Sequence, residues 1–203
     1  MFPLSGVLLP GSAVALHVFE PRYRDLARDV TSAGGELGVV LIERGSEVGG
    51  GDTRCDVGTM ARVCSAERYP DGRWGIVVAG DRRIRVDDWL PDDPYPRAEV
   101  SDWPDHPEEP PVGTSEHRRL VAMLRTSLAL ATELGAPSPP IGVEVADDPA
   151  VGGYQIAALA PIGPLDRQRI LCARGVSSRS ALLGELLADA IDTMRARIAL
   201  GDG

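Results

Sequence analysis

The sequence predicts an α+β protein, with strands and turns first and helices after them. Three observations carry this. Residues 1 to 101 alternate short apolar segments with glycine and proline turns, Asp102 to Gly113 holds four prolines among acidic residues, and beyond that break apolar residues recur at helical spacing. Strands and helices that are segregated along a chain make an α+β fold rather than a βαβ one. The expected division is a β-rich domain over residues 1–110 and a helical bundle over 111–203, with the proline-rich segment a linker or a domain edge.

Taken in order, Phe2 to Leu4 and Ala13 to Val18 read as strands, joined through the irregular Leu8-Leu9-Pro10-Gly11. Pro21 suits a first helical position, and Tyr23, Leu26, Ala27 and Val30 then recur at helical spacing up to Gly34-Gly35. Leu37 to Ile42 is a compact apolar strand. The glycine-rich stretch Arg44 to Thr53 reads as a mobile loop, and it lacks both the glycine order and the following helix of a phosphate cradle.

The stretch Asp56 to Trp89 reads as a three-stranded meander. Val57 to Ala66 is one strand, and Tyr69-Pro70-Asp71-Gly72 supplies the turn chemistry of a hairpin. Trp74 to Ala79 is apolar enough to be buried on both faces, and Gly80-Asp81 has the composition of a second tight reversal. In the third strand Ile84 and Val86 alternate with Arg83, Arg85 and Asp87, one face toward a core and one toward water. Tyr95 to Val100 adds a further strand.

Beyond the break, Leu120, Leu124, Leu128 and Ala131 mark a helix that Thr114 or Ser115 would cap and Gly135 would end. Two shorter helices follow, Gly153 to Leu159 and Pro164 to Ala173. From Ser180 to Leu200 an apolar stripe including Leu183, Leu187, Ile191 and Met194 runs opposite Glu185, Asp189 and Asp192, which reads as a packing face.

Composition excludes several chemistries. All 21 basic residues are arginines. With no lysine there is no P-loop, no Schiff base and no serine–lysine dyad. The net charge of -9 argues against nucleic acid or an anionic membrane as the main partner, and the arginines of residues 82–85 read as a solvated strand face. The three cysteines form no metal-binding or disulfide pattern, so a reducing cytoplasm is expected and no metal or other cofactor. The N-terminus lacks the basic region of a signal peptide, and no run approaches the ~18 apolar residues of a membrane span.

No catalytic constellation emerges. His17, His106 and His117 share no ligand spacing, and His17 reads as a core or rim histidine. Cys64 falls in a predicted strand and Cys172 on an apolar helix stretch, so buried structural thiols are expected. No serine sits in a nucleophile elbow. The grouping of scarce aromatic residues near the first helix and the first hairpin tip instead outlines a binding wall of Pro10, Phe19, Tyr23, Tyr69 and Trp74. Each aromatic also has a structural role open to it, Phe19 and Tyr23 stapling the helix to the sheet, Tyr69 and Trp74 pairing across the hairpin.

Four motifs carry a resemblance. P-L-x(3)-L-L-P-G begins at Pro3, L-x-V-F-E-x-R-Y at Leu16, V-G-T-M-A-R-V at Val57 and V-x-G-x-R-R-I-R-V at Val78. Their order and spacing resemble the N-terminal substrate-binding domain of the Lon protease family. YQIAAL, DRQRIL and LLGELL resemble the helical extension that follows it. The resemblance implies a PUA-like mixed β pseudo-barrel with one early helix, then a helical bundle. It also implies a non-catalytic recognition module for unfolded or client polypeptides, with an ATP-dependent protease as a further partner. On the reading of the hairpin itself, the Pro70-Asp71-Gly72 turn is the portion expected to touch a client. No ATPase or peptidase motif is carried over. A small-molecule or RNA-binding PUA-like module and an ATP-independent hydrolase are the competing readings.

Overall fold

The structure, a computed structural model, describes residues 1–32, 34–47 and 51–201. The chain divides into two compact units, Met1–Pro104 and Asp105–Gly203.

Among the described residues the first unit holds six strands and one helix: β1 (Phe2–Leu4), β2 (Ala13–Val18), α1 (Pro21–Ser32), β3 (Glu36–Arg44), β4 (Thr53–Arg68), β5 (Trp74–Leu90) and β6 (Arg97–Asp102). They form one mixed sheet in the order β1-β3-β4-β5-β2, with β6 also on β5. Among the described residues only the β1–β3 pair is parallel. β5 is the strand that ties the sheet together. Along one edge it carries β4, and along the other it carries β2 through Trp74 to Ala79 and β6 through Ile84 to Leu90.

This replaces the expected three-stranded meander with one long hairpin. The chain does not reverse at Gly80-Asp81; the register between β4 and β5 shifts there instead, between Met60 and Ala61. Gly80 is a glycine for a different reason. Its N–H donates to Ser12 O at 2.8 Å and its carbonyl accepts from Gly11 N at 2.9 Å, and a Cβ at this position would lie 2.5 Å from Leu9 O. The residue lets the β1–β2 connection lie against β5.

Three further expectations change. Cys64 and Cys172 are exposed rather than buried. The strand Trp74–Ala79 is not buried on both faces: Ile76 and Val78 are buried while Val77 is 36% exposed. The arginines of 82–85 are not uniformly solvated either. Arg83 is 5% exposed, with its guanidinium 4.7 Å from the Trp103 ring. Arg82 and Arg85 are ion-paired near the surface. Of the expected loop over 44–53, Gly49 and Gly50 lie outside the described residues, and Gly45 and Gly51 adopt φ of 115° and 76°.

α1 supplies Tyr23, Leu26, Ala27 and Val30 to a core that also takes Phe2 from β1, Leu16 and Val18 from β2, and Ile76 and Val78 from β5. The strands at the two ends of the sheet order therefore share one core. The sheet is curled around α1.

The second unit contains α2 (Thr114–Glu133), α3 (Pro149–Leu159), α4 (Pro164–Leu171) and α5 (Val176–Ala199). Buried Leu120, Leu124 and Leu128 of α2 and Leu183, Leu187 and Ile191 of α5 follow the stripes seen in the sequence. α2 is capped by neither Thr114 nor Ser115: its N-cap is Gly113, without a side-chain hydrogen bond. The expected edge at residue 110 falls within this unit, because two residues ahead of it are tied to α5. Asp105 receives both terminal nitrogens of the fully buried Arg179 at 3.0 Å each. Glu109 Oε2 accepts from the N–H groups of Ser177 and Ser178 at 2.9 and 3.1 Å.

Candidate functional site

The end of β2 brings the sequence candidates together. Alternation along Leu16-His17-Val18-Phe19 turns Leu16 and Val18 into the core and leaves His17 and Phe19 outside. Phe19 is 54% exposed. It does not staple α1 to the sheet; Tyr23 does, its buried ring 4.6 Å from that of Phe2.

The register Val18↔Trp74 sets the end of β2 beside the mouth of the β4–β5 hairpin. That hairpin is closed by Tyr69 N–H to Arg73 O at 2.8 Å and Gly72 N–H to Tyr69 O at 2.9 Å, with Gly72 at φ 83° as the turn requires. Asp71 accepts from Arg73 N at 3.0 Å and Arg73 Nε at 2.7 Å. The backbone N–H of Arg73, with its guanidinium, holds the Asp71 carboxyl below its ordinary range. Arg24 of α1 reaches the hairpin tip, its guanidinium lying where a Cβ on Gly72 would fall. Tyr69 lies over Gly75, where a Cβ would fall 2.7 Å from its hydroxyl. Trp74 is half-buried, packed against the core from the hairpin side.

A cleft of about 330 Å³ results, lined by His17, Val18, Phe19, Tyr69, Arg73 and Trp74. A second, of about 300 Å³, adjoins it and shares His17, Val18 and Phe19; its other walls include Phe2 and Leu4 of β1 and Tyr23 of α1. Burial pushes the Tyr23 phenol up to about 12, so it is a neutral wall at physiological pH. Glu20 and Glu47 stand at this second cleft, Glu20 paired with Arg22 at 3.3 Å and Glu47 accepting from Ser5 N and Oγ at 2.5 Å.

Four of the five sequence candidates thus line one or both clefts: Phe19 both, Tyr69 and Trp74 the first, Tyr23 the second. Pro10 lines neither and belongs to the connection held against Gly80. Sequence reasoning did not single out Arg73, and of its two readings of His17, core or rim, the exposed position in the lining of both clefts fits the rim. The alternation of the β2 segment already places His17 on the face of Phe19. Among the described residues no group of three or more His, Cys, Asp or Glu is arranged to hold a metal ion, and no helix is long and apolar enough to cross a membrane.

Comparison with known proteins bears on what such clefts serve. The family described as the ATP-dependent protease La (LON) substrate-binding domain matches residues 1–189. The chain belongs to this family. A Lon N-terminal domain protein from Xanthomonas campestris shares the fold at a TM-score of 0.66 and 31% identity, over 92% of this chain and 95% of that one. The N-terminal domain of Mycobacterium avium complex Lon protease aligns at a TM-score of 0.60 and 19% identity over 92% of this chain and 97% of that one, a likeness of fold. The Lon protease of Flavobacterium johnsoniae is 27% identical over 139 residues, 68% of this chain but 16% of that protein. The likeness is to the Lon substrate-binding domain, and this chain spans a small part of the full-length protease.

Proposed function

We propose that this Lon substrate-binding domain is a non-catalytic recognition module that binds exposed apolar segments of unfolded or client polypeptides in the two adjoining clefts and presents them to an ATP-dependent protease. The observation that carries the reading is Phe19. A large aromatic side chain more than half exposed, shared by two clefts and flanked by Tyr69 and Trp74, is the composition of a binding hot spot rather than of a packed surface. The family's description as a substrate-binding domain supports the same reading.

Charge favours polypeptide over RNA. The net charge is -9, and arginines of the sheet are engaged by acids: Arg62 by Asp81, Arg82 by Glu36 and Asp102, Arg54 by Asp52 and Asp92. An RNA-binding face would present such cations free to phosphate.

Fluorescence anisotropy with a labelled, permanently unfolded polypeptide tests the proposal. Binding is expected with a Kd on the order of 10 μM, and Phe19→Ala is expected to weaken it about tenfold, the effect of ~1.4 kcal/mol. The melting temperature should be unchanged, since Phe19 lies outside the core. Leu165→Ala, which removes an exposed apolar side chain from the helical unit, should leave affinity unaltered. Equal affinity of the wild type and Phe19→Ala would refute this assignment.

A further inference from the structure

Three strands of the sheet have one edge without a ladder partner along its whole length among the described residues: β1, which pairs only with β3; β2, which pairs only with β5; and β6, which also pairs only with β5. Such edges invite pairing with another chain, and proteins usually blunt them with proline, charge or shortness. β1 is three residues long and contains Pro3. β6 carries Arg97, Glu99 and Asp102. β2, with the sequence AVALHV, has neither proline nor a lysine, arginine or carboxylate, and it is six residues long.

The cleft of about 300 Å³ follows that unprotected edge. It is lined by the consecutive residues Val14 to Val18, both the inward Leu16 and Val18 and the outward Ala15 and His17. Successive residues of a strand face opposite sides of the sheet, so a groove over one face would meet only every second residue. Contact with the whole run means the groove lies along the strand's edge. Phe2 and Leu4 of β1 form its far wall.

We infer that client segments bind here as an added β-strand on the free edge of β2. The inference rests on the polypeptide-binding reading and gives it a mode: main-chain N–H and C=O groups of an extended segment pair with β2, and alternate apolar side chains turn into the seam toward Phe2 and Leu4. The segment then runs on into the cleft of Phe19 and Trp74. Main-chain pairing tolerates many sequences, and the seam selects for apolar residues at every second position.

The test uses a labelled peptide of alternating valine and threonine in three forms: unmodified, N-methylated on every valine, and N-methylated on every threonine. N-methylation removes a main-chain donor without changing the side chain. Addition to one edge predicts that one methylated form loses at least tenfold in affinity while the other stays within about twofold of the parent. Amide exchange at alternate residues within Ala13–Val18 should also slow when the parent binds. Equal affinity of all three forms, equal loss in both methylated forms, or failure of the parent where an unfolded polypeptide binds would each overturn strand addition while leaving the clefts as a binding site. Failure of the unfolded polypeptide as well would instead strike the polypeptide-binding reading itself.

Discussion

At the scale of single residues, Gly80 shows how a sequence signal is misread when its cause is distant. Gly80-Asp81 has the composition of a turn, yet the glycine sits inside a 17-residue strand. A Cβ there would meet Leu9 O at 2.5 Å and Thr59 Cγ2 at 3.0 Å. Neither neighbour yields easily: one is backbone, and the buried Thr59 donates its hydroxyl to Leu8 O at 2.6 Å. Gly80→Ala is therefore expected to destabilise the first unit by about 1–3 kcal/mol, as overpacking against fixed neighbours does. Urea denaturation followed by tryptophan fluorescence should show a lower midpoint at unchanged slope; an unmoved midpoint would show that the connection from β1 to β2 does not press on β5. Arg83 carries the same lesson. Its alternation with Ile84 points it to water, but the Trp103 ring stacks on it and the Trp103 backbone N–H donates to its carbonyl at 3.0 Å, and this partner is not visible in the local pattern.

At the scale of elements, what was legible depended on how local the determining interaction is. The buried faces of α2 and α5 followed from apolar spacing, which is a property of the segment itself. The hairpin at Tyr69 to Gly72 was legible because its proline and glycine act within the turn. Whether residues 74–90 form one strand or two was not, because β4 on one side and β2 then β6 on the other hold β5 continuous. The candidate site was legible in its aromatic residues and not in its geometry, which depends on the pairing of Val18 with Trp74. Helix α5 begins with a similar long-range device. Its N-cap Gly175 has no side chain to offer, and Glu109 supplies the acceptor in its place. Burial acts to raise the Glu109 pKa, but the bonds from Ser178 and Ser177 outweigh it and hold the carboxyl below its ordinary range. A depressed folded pKa contributes stability above the unfolded value of ~4.3 and loses it as pH falls below that value. Glu109→Ala is accordingly expected to cost about 0.5–2 kcal/mol at neutral pH, the worth of a lost cap. The difference should shrink as pH drops through the carboxylate range. Denaturation at neutral and acid pH measures it, and an undiminished cost in acid would mean that the charge at Glu109 is immaterial.

At the scale of the whole molecule, the chain is a Lon substrate-binding domain that spans 16% of the length of the Flavobacterium johnsoniae Lon protease to which it is similar. Its first unit holds the features on which the proposed recognition of an unfolded chain rests: an unprotected strand edge, two adjoining clefts and an exposed phenylalanine shared between them. The second unit has exposed apolar residues as well, including Leu165 and Ile141, and so offers a fair alternative contact. Photo-cross-linking decides between them most directly. An unfolded polypeptide carrying a photoreactive group, irradiated in complex with the protein and mapped by mass spectrometry, is expected to attach within Phe2–Leu4, Val14–Tyr23 and Tyr69–Trp74, and to lose those adducts in Phe19→Ala. Adducts confined to residues 105–201 would contradict the account.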